Sequence, residues 1–207
     1  MANGGGGPAH LDSRDEEILR AAFEEFTERG FHGATMLAVA RRARASKATL
    51  YDRFDSKEGL FHALLSWGCQ QTMADLQSIV EDRALSAKEA LTECAVRILT
   101  VMGSASAVDL ARIAIAEGAR QPGVGRIYEG ETRDPIVALV RQVIARLFET
   151  GEIAADDPSE FGAAFIGLLR GDLYYRAILG TAPVPSAEEW EAIARRAVPR
   201  LLKAFAP

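Results

Sequence analysis

Apolar residues along this chain recur at three- and four-residue steps, the period of a helix, and no stretch shows the two-residue alternation of a half-buried strand. After a glycine-rich opening (Gly4–Gly7, Pro8), the first run carries Leu19, Ala22, Phe23 and Phe26 and stops at Gly30. Ser13 and Glu16 stand before it at capping-box spacing. Thr35 opens a short helix with Leu37, Val39, Ala40 and Ala43 facing inward, and Arg44 and Ala45 make a turn. Ser46 then caps a second short helix in which Ala48 and Leu50 face inward while Lys47, Thr49 and Tyr51 stay free. Ser56 caps a long helix striped by Leu60, Leu64, Gly68, Thr72, Leu76 and Val80.

Five further patterns follow. Ser86 with Glu89 opens one (Leu91, Ala95, Ile98, Met102), and Ser106 with Asp109 opens another. The latter is apolar nearly all round at Ile113–Ala116, which predicts burial at the centre of the molecule. Asp134-Pro135 and Asp157-Pro158 each set an N-cap before a proline at the first helical position. The first of these helices carries Ile136, Val140, Val143, Ile144 and Leu147, and the second runs to Gly180. Ser186 with Glu189 caps a last helix reaching about Phe205. The fold class is therefore all-α, with about nine helices. Its predicted division is a flexible tail at 1–10, a three-helix helix-turn-helix unit at 11–55 and a larger helical bundle at 56–207.

Net charge is −5 and the pI is about 5.3, which by themselves speak against nucleic acid. The distribution reverses that reading. Between Gly30 and Lys57, Arg41, Arg42, Arg44, Lys47, Arg53 and Lys57 face only Asp52 and Asp55, a local charge of +4 on a body of −9. Such a chain touches phosphates with one end. Two short helices joined by a tight turn can seat the second in the major groove, about 12 Å wide, with its N-terminal residues at base edges.

Other chemistries find no footing. The two cysteines, Cys69 and Cys94, and the three histidines, His10, His32 and His62, show no metal or catalytic-triad spacing. There is no glycine-rich phosphate loop. An enzyme, a metal site and a cofactor are accordingly not expected. No apolar run approaches the ~18 residues of a membrane span, so no membrane partner is expected either. The compartment expected is a reducing cytoplasm.

S-K-x-T-L-Y (Ser46–Tyr51), followed by F-x-S-K-E at Phe54, Ser56, Lys57 and Glu58, resembles the signature of the TetR family of bacterial transcription regulators. I-L-x-A-A-x-x-x-F-x-x-x-G-F, at Ile18 to Phe31, is similar to that family's first helix. The resemblance covers about 15–65 closely and the bundle only in helix count and lengths. Carried across residue by residue, it implies that Lys47, Ala48 and Thr49 approach bases, and that Thr35, Ser46, Tyr51, Arg53 and Lys57 hold phosphates. Two positions depart from the pattern. Arg44 stands where glycine is common, so either the turn is distorted or Arg44 itself reaches DNA. Leu37 stands where some members place a base-reading basic residue.

The resemblance also implies a homodimer reading two half-sites of double-stranded operator DNA, and a small-molecule effector in the bundle. The dimer seam is expected on the last two long helices, at Phe161, Ala164, Gly167, Leu168, Gly171, Trp190, Ile193, Ala197 and Leu201. An effector pocket is expected among Trp67, Met73, Met102, Phe148, Phe165, Tyr174 and Tyr175, with Arg112, Glu117, Arg170 or Asp172 as polar contacts. The resulting expectation is a repressor released by its ligand. An activator, a regulator sensing oxidation through its cysteines and a ligand carrier that has lost DNA binding remain alternatives.

Overall fold

The computed structural model describes residues 12–153 and 157–207, and every regular element among them is a helix. The tail expected at 1–10 lies outside the described residues. The chain forms two compact units, one reaching to Trp67 and one running from Gly68 to Pro207.

The first unit is built from α1 (Ser13–Gly33), α2 (Met36–Arg42), α3 (Lys47–Phe54) and the opening turns of α4 (Lys57–Glu81). Its interior is Ile18, Leu19, Ala22, Phe26, Phe31, Leu50, Leu60 and Phe61, all without exposed surface. Burying a side chain of that size contributes about 1.5–3 kcal/mol each, which a unit this small needs. Gly30 sits inside α1 at φ 68, a left-handed conformation that a side chain disfavours. The kink it makes turns Phe31 back onto Phe26. The two rings stack at 5.6 Å, and Phe61 of α4 meets both edge-on at 5.4 Å.

The second unit is a bundle of α5 (Ala87–Met102), α8 (Asp134–Glu149), α9 (Pro158–Arg170) and α11 (Ala187–Ala204). Leu91, Ile98, Val143, Leu147, Phe161, Phe165, Trp190 and Val198 fill its middle. Around it lie α6 (Ala105–Gly118), α7 (Pro122–Tyr128), a π-helical turn at Glu129–Arg133 and α10 (Asp172–Leu179). Capping boxes at Ser86/Glu89 and Ser186/Glu189 start α5 and α11.

Several boundaries differ from the pattern-based ones. Asp12 and Asp15, rather than Ser13 and Glu16, form the box that opens α1. Ser104 rather than Ser106 caps α6. Asp134 caps nothing, because α8 continues out of the π-helical turn. The run from 158 to 179 is two helices, broken at Gly171 (φ 23). These changes and the additional helix α7 bring the described residues to eleven α-helices. The apolar run at Ile113–Ala116 is not central: Ile113 and Ala114 are buried, but Ile115 is 64% exposed.

Trp190 anchors α11 on the end of α5, where its indole Nε1 donates to the Gly103 carbonyl at 3.1 Å. A Cβ on Gly103 would stand 2.1 Å from that nitrogen and 2.7 Å from the Leu99 carbonyl oxygen. Gly103→Ala should therefore destabilise the protein by about 1–3 kcal/mol, read as a lower urea midpoint by circular dichroism. Gly123→Ala, where nothing lies within 4 Å, should be neutral or stabilising, as alanine generally is in a helix. Equal midpoints for the two variants would refute this packing.

Candidate nucleic-acid interface

The turn between α2 and α3 is regular despite its arginine. Arg44 adopts φ 51, at a cost of about 1–2 kcal/mol for a residue with a side chain. Two contacts offset that cost. The Ala45 N–H closes the end of α2 on the Ala40 carbonyl at 2.8 Å, and Arg14 Nη2 of α1 donates to the Arg44 carbonyl at 2.7 Å. The Arg44 side chain is left exposed.

Hydroxyl caps fix both short helices. Thr35 accepts from the Ala38 N–H at 3.1 Å. Ser46 accepts from the Thr49 N–H at 3.0 Å and pairs with the Thr49 hydroxyl at 2.8 Å. Beyond the cap, Lys47, Ala48 and Tyr51 are exposed and Thr49 is half-buried, with the Lys47 ammonium 5.4 Å from the centre of the Tyr51 ring. Ala48, expected to face inward, faces solvent. So does Leu37, which is 45% exposed, while its neighbour Met36 takes the inward place in α2.

Three of the basic residues serve the unit itself. Lys57 Nζ donates to the carbonyls of Phe31 (2.7 Å), His32 (3.3 Å) and Ala34 (3.1 Å) and lies 4.6 Å from the centre of the Phe31 ring. The family resemblance implies that it holds a phosphate. Instead its three donors satisfy the carbonyl end of α1, which the kink at Gly30 leaves without helical partners. Arg53, likewise expected on a phosphate, pairs with Asp12 at 3.0 Å and with Asp15, tying α3 to the start of α1. The Asp15 N–H and then Arg53 hold the Asp12 carboxyl below the usual carboxylate range. Arg42 pairs with Glu24, Glu25 and Glu28 at 3.0, 3.3 and 2.6 Å and holds the Glu28 carboxyl low. Among the described residues of the basic segment between Gly30 and Lys57, the exposed cations with no such partner are Arg41, Arg44 and Lys47.

This arrangement has close counterparts. The family model of bacterial regulatory proteins of the tetR family matches residues 18–64, and that of the AefR-like transcriptional repressor C-terminal domain matches 89–207, more than half the chain. The chain belongs to the TetR family. It is 31% identical over 139 residues to the HTH-type transcriptional regulator UidR of Escherichia coli, covering 67% of this chain and 68% of that one. It is 28% identical over 177 residues to an uncharacterized HTH-type transcriptional regulator of Mycobacterium tuberculosis, covering 85% and 82%. Among solved structures, the flavonoid-responsive regulator FrrA superposes with a TM-score of 0.71 at 30% identity, covering 94% of this chain and 97% of that one. These TetR-family relatives are transcription regulators, not enzymes.

In the C-terminal unit of this TetR-family chain, the expected effector residues scatter. Met102 and Tyr174 line a narrow chamber together with Ile98, Tyr128, Ile136 and Arg170. Its free space is only about 40 Å³, room for a water-sized group or two. The others do not meet there. Phe165 is wholly buried in the core, and Met73 and Phe148 pack against that core. Trp67 lies in the first unit beneath Arg20, at 5.5 Å. Arg112 is engaged by Asp109 and the carbonyls of Ala177 and Ile178. Tyr175 is 62% exposed. Glu117 is buried and Asp172 exposed, neither at the chamber.

Tyr128 and Thr132 were missed because no periodic pattern covers 121–133; Pro122 at the first position of α7 was the available signal. Burial, and for Tyr128 also the nearby Tyr174, pushes both phenols above their ordinary range. A groove of about 590 Å³ lies alongside, between α8 and α9, and shares Arg133, Val137, Ile166 and Arg170 with the chamber.

The expected dimer residues divide as well. Phe161, Trp190, Ala197 and Leu201 are buried within the unit's own core or nearly so, hence not free for a partner. Gly167, Leu168 and Gly171 are exposed; Ala164 and Ile193 are half-buried. Leu168 and Ile193 flank a shallow surface cleft with Arg196 and Arg200.

Lys57→Ala should lower stability by about 1–3 kcal/mol, as expected when hydrogen bonds to a charged group are lost, and should leave the salt dependence of DNA binding unchanged. Thermal melting and salt titration check the two halves separately. A variant that melts normally but shows a shallower salt slope would return Lys57 to the phosphates.

Proposed function

We propose that the protein is a homodimeric repressor that reads an inverted-repeat operator with α3 and leaves it when a small molecule occupies the C-terminal unit. The observation that carries this reading is the presentation of Lys47, Ala48, Thr49 and Tyr51 on a short helix capped by Ser46 and braced to α1 by Arg53. A helix held that way can enter a major groove without reorganising, with Thr35, Ser46 and Tyr51 toward the backbone and Arg41 and Arg44 beside them. A dimer supplies the second half-site, about 34–36 Å or a multiple away. Leu168, Gly171 and Ile193 offer the surface for that pairing, while Gly167 opens onto the groove between α8 and α9.

Release follows from α4, one helix shared by both units. A molecule that shifts α4 changes the spacing of the two reading helices, provided it binds the two states differently. A coupling of ~1–3 kcal/mol weakens operator binding about 5–150-fold. The matched C-terminal repressor domain and a flavonoid-responsive relative support a ligand-released repressor over an activator. The cysteines give the redox alternative no support. Burial pushes the Cys69 thiol up to about 11 and the Cys94 thiol to about 12, and it is the thiolate that reacts with oxidants. No single helix among the described residues is long and apolar enough to cross a membrane, in keeping with action in the cytoplasm.

Selection from a random DNA pool should return an inverted repeat. On that operator, Lys47→Ala and Thr49→Ala should each reduce discrimination against random DNA by about 1–3 kcal/mol. No enrichment by the wild-type protein would sink the reading. Sedimentation of Leu168→Arg/Ile193→Arg should show a folded monomer with weak operator affinity; an intact dimer would move the interface elsewhere.

A further inference from the structure

The groove between α8 and α9 has a division of labour that the chamber beside it lacks. Opposite α9 the lining positions are Arg133, at the end of the π-helical turn, and Val137, Val140, Arg141 and Ile144, along one face of α8. The opposing face of α9 is small, with Gly162, Ala163 and Gly167 leaving the cleft open, and it ends in Ile166 and Arg170. Among the described residues no carboxylate lines the groove, although the chain carries more acidic than basic residues. Arg133 is occupied by Glu129 and Asp134, at 3.3 and 2.9 Å. Arg141 and Arg170 make no ion pair or hydrogen bond among the described residues. Arg170 also stands close enough to Tyr128 and Tyr174 for its charge to act on both phenols.

We infer that this groove binds an apolar monocarboxylate, with the head group on Arg170 and Arg141 and the hydrocarbon body on the floor of Val137, Val140, Ile144 and Ile166. The inference deepens the effector reading above by naming the chemistry of the ligand. A guanidinium can hold a carboxylate through two parallel N–H···O bonds, and an unpaired one has no internal partner to give up. The body belongs in the groove rather than the chamber, because about 590 Å³ accommodates a chain of ten carbons or so and about 40 Å³ does not. Gly162, Ala163 and Gly167 matter as much as the arginines: larger side chains there would close the cleft.

The test is calorimetric titration of the purified, DNA-free protein with straight-chain carboxylates of about six to fourteen carbons, beside the matching alcohols. One carboxylate should bind per protomer, and each alcohol at least about tenfold more weakly. Arg170→Gln should weaken the best carboxylate about tenfold to a hundredfold and leave alcohol binding unchanged, with Arg170→Lys in between. Ala163→Phe should abolish binding while keeping every arginine. Because Arg170 makes no ion pair or hydrogen bond among the described residues, the unliganded melting temperature of Arg170→Gln should match the wild type, so a loss of binding is not a loss of folding. Carboxylates that bind no better than alcohols, that bind Arg170→Gln as tightly as wild type, or that do not bind at all overturn the site. Carboxylate binding that leaves the operator complex intact counts against the ligand-released repressor and not against the site. Operator release by a compound indifferent to Arg170 counts the other way.

Discussion

The reversal of the chain at Gly30 is the constraint on which the reading unit depends. A left-handed residue there folds Phe31 back against Phe26 and opens a place for Phe61, so one glycine produces the aromatic centre of the unit. The same reversal strands the carbonyls of Phe31, His32 and Ala34. Carbonyls at a helix end need donors, and the ammonium of Lys57 answers all three while resting against the Phe31 ring. Lys57 is also the first residue of α4. The end of α1 and the start of α4 are thus fixed by one polar cluster, and α3, lying between them in sequence, inherits its position.

That arrangement changes the meaning of the basic segment. Its +4 charge invites a picture of phosphate contacts along its whole length, yet Arg42, Arg53 and Lys57 are internal ties whose charges carboxylates or carbonyls already meet. The cations left for DNA cluster around the turn and the start of α3: Arg41, Arg44 and Lys47. In the reading proposed above, electrostatic affinity comes from a short stretch at the helix N-terminus, where the N–H groups also favour phosphate oxygens. The apolar Leu37 and Ala48 stand exposed at the same end of the unit. Such side chains contact thymine methyl groups more readily than hydrogen-bonding edges.

Much of this was legible in the sequence. Caps at Thr35, Ser46, Ser86 and Ser186 were readable because a hydroxyl followed by a helical period leaves few other conformations, and the helix-turn-helix was readable because its spacing is rigid. What escaped is what depends on partners distant in sequence. Nothing near Lys57 announces the three carbonyls that claim it, since they lie on the far side of the turn and are exposed only by the kink. Phe161 and Trp190 sit on stripes as suited to a partner helix as to their own core, and period alone does not distinguish the two. The effector residues were the least legible. A cavity is made by what side chains fail to fill, as with Ala163 and Gly167, and an apolar pattern reports only what they fill. Arg44 was a local conflict with glycine preference, resolved by Arg14 from α1.

The contrast between Lys57 and Lys47 also reaches into covalent chemistry. This chain meets most of its need for positive charge with arginine and places lysine only at 47, 57, 88 and 203. The amine of Lys57 is enclosed by three carbonyls, whereas the amine of Lys47 stands in solvent above the Tyr51 ring. Of the two described lysines in the reading head, an acyl donor therefore meets Lys47 as the open amine, at the N-terminus of α3.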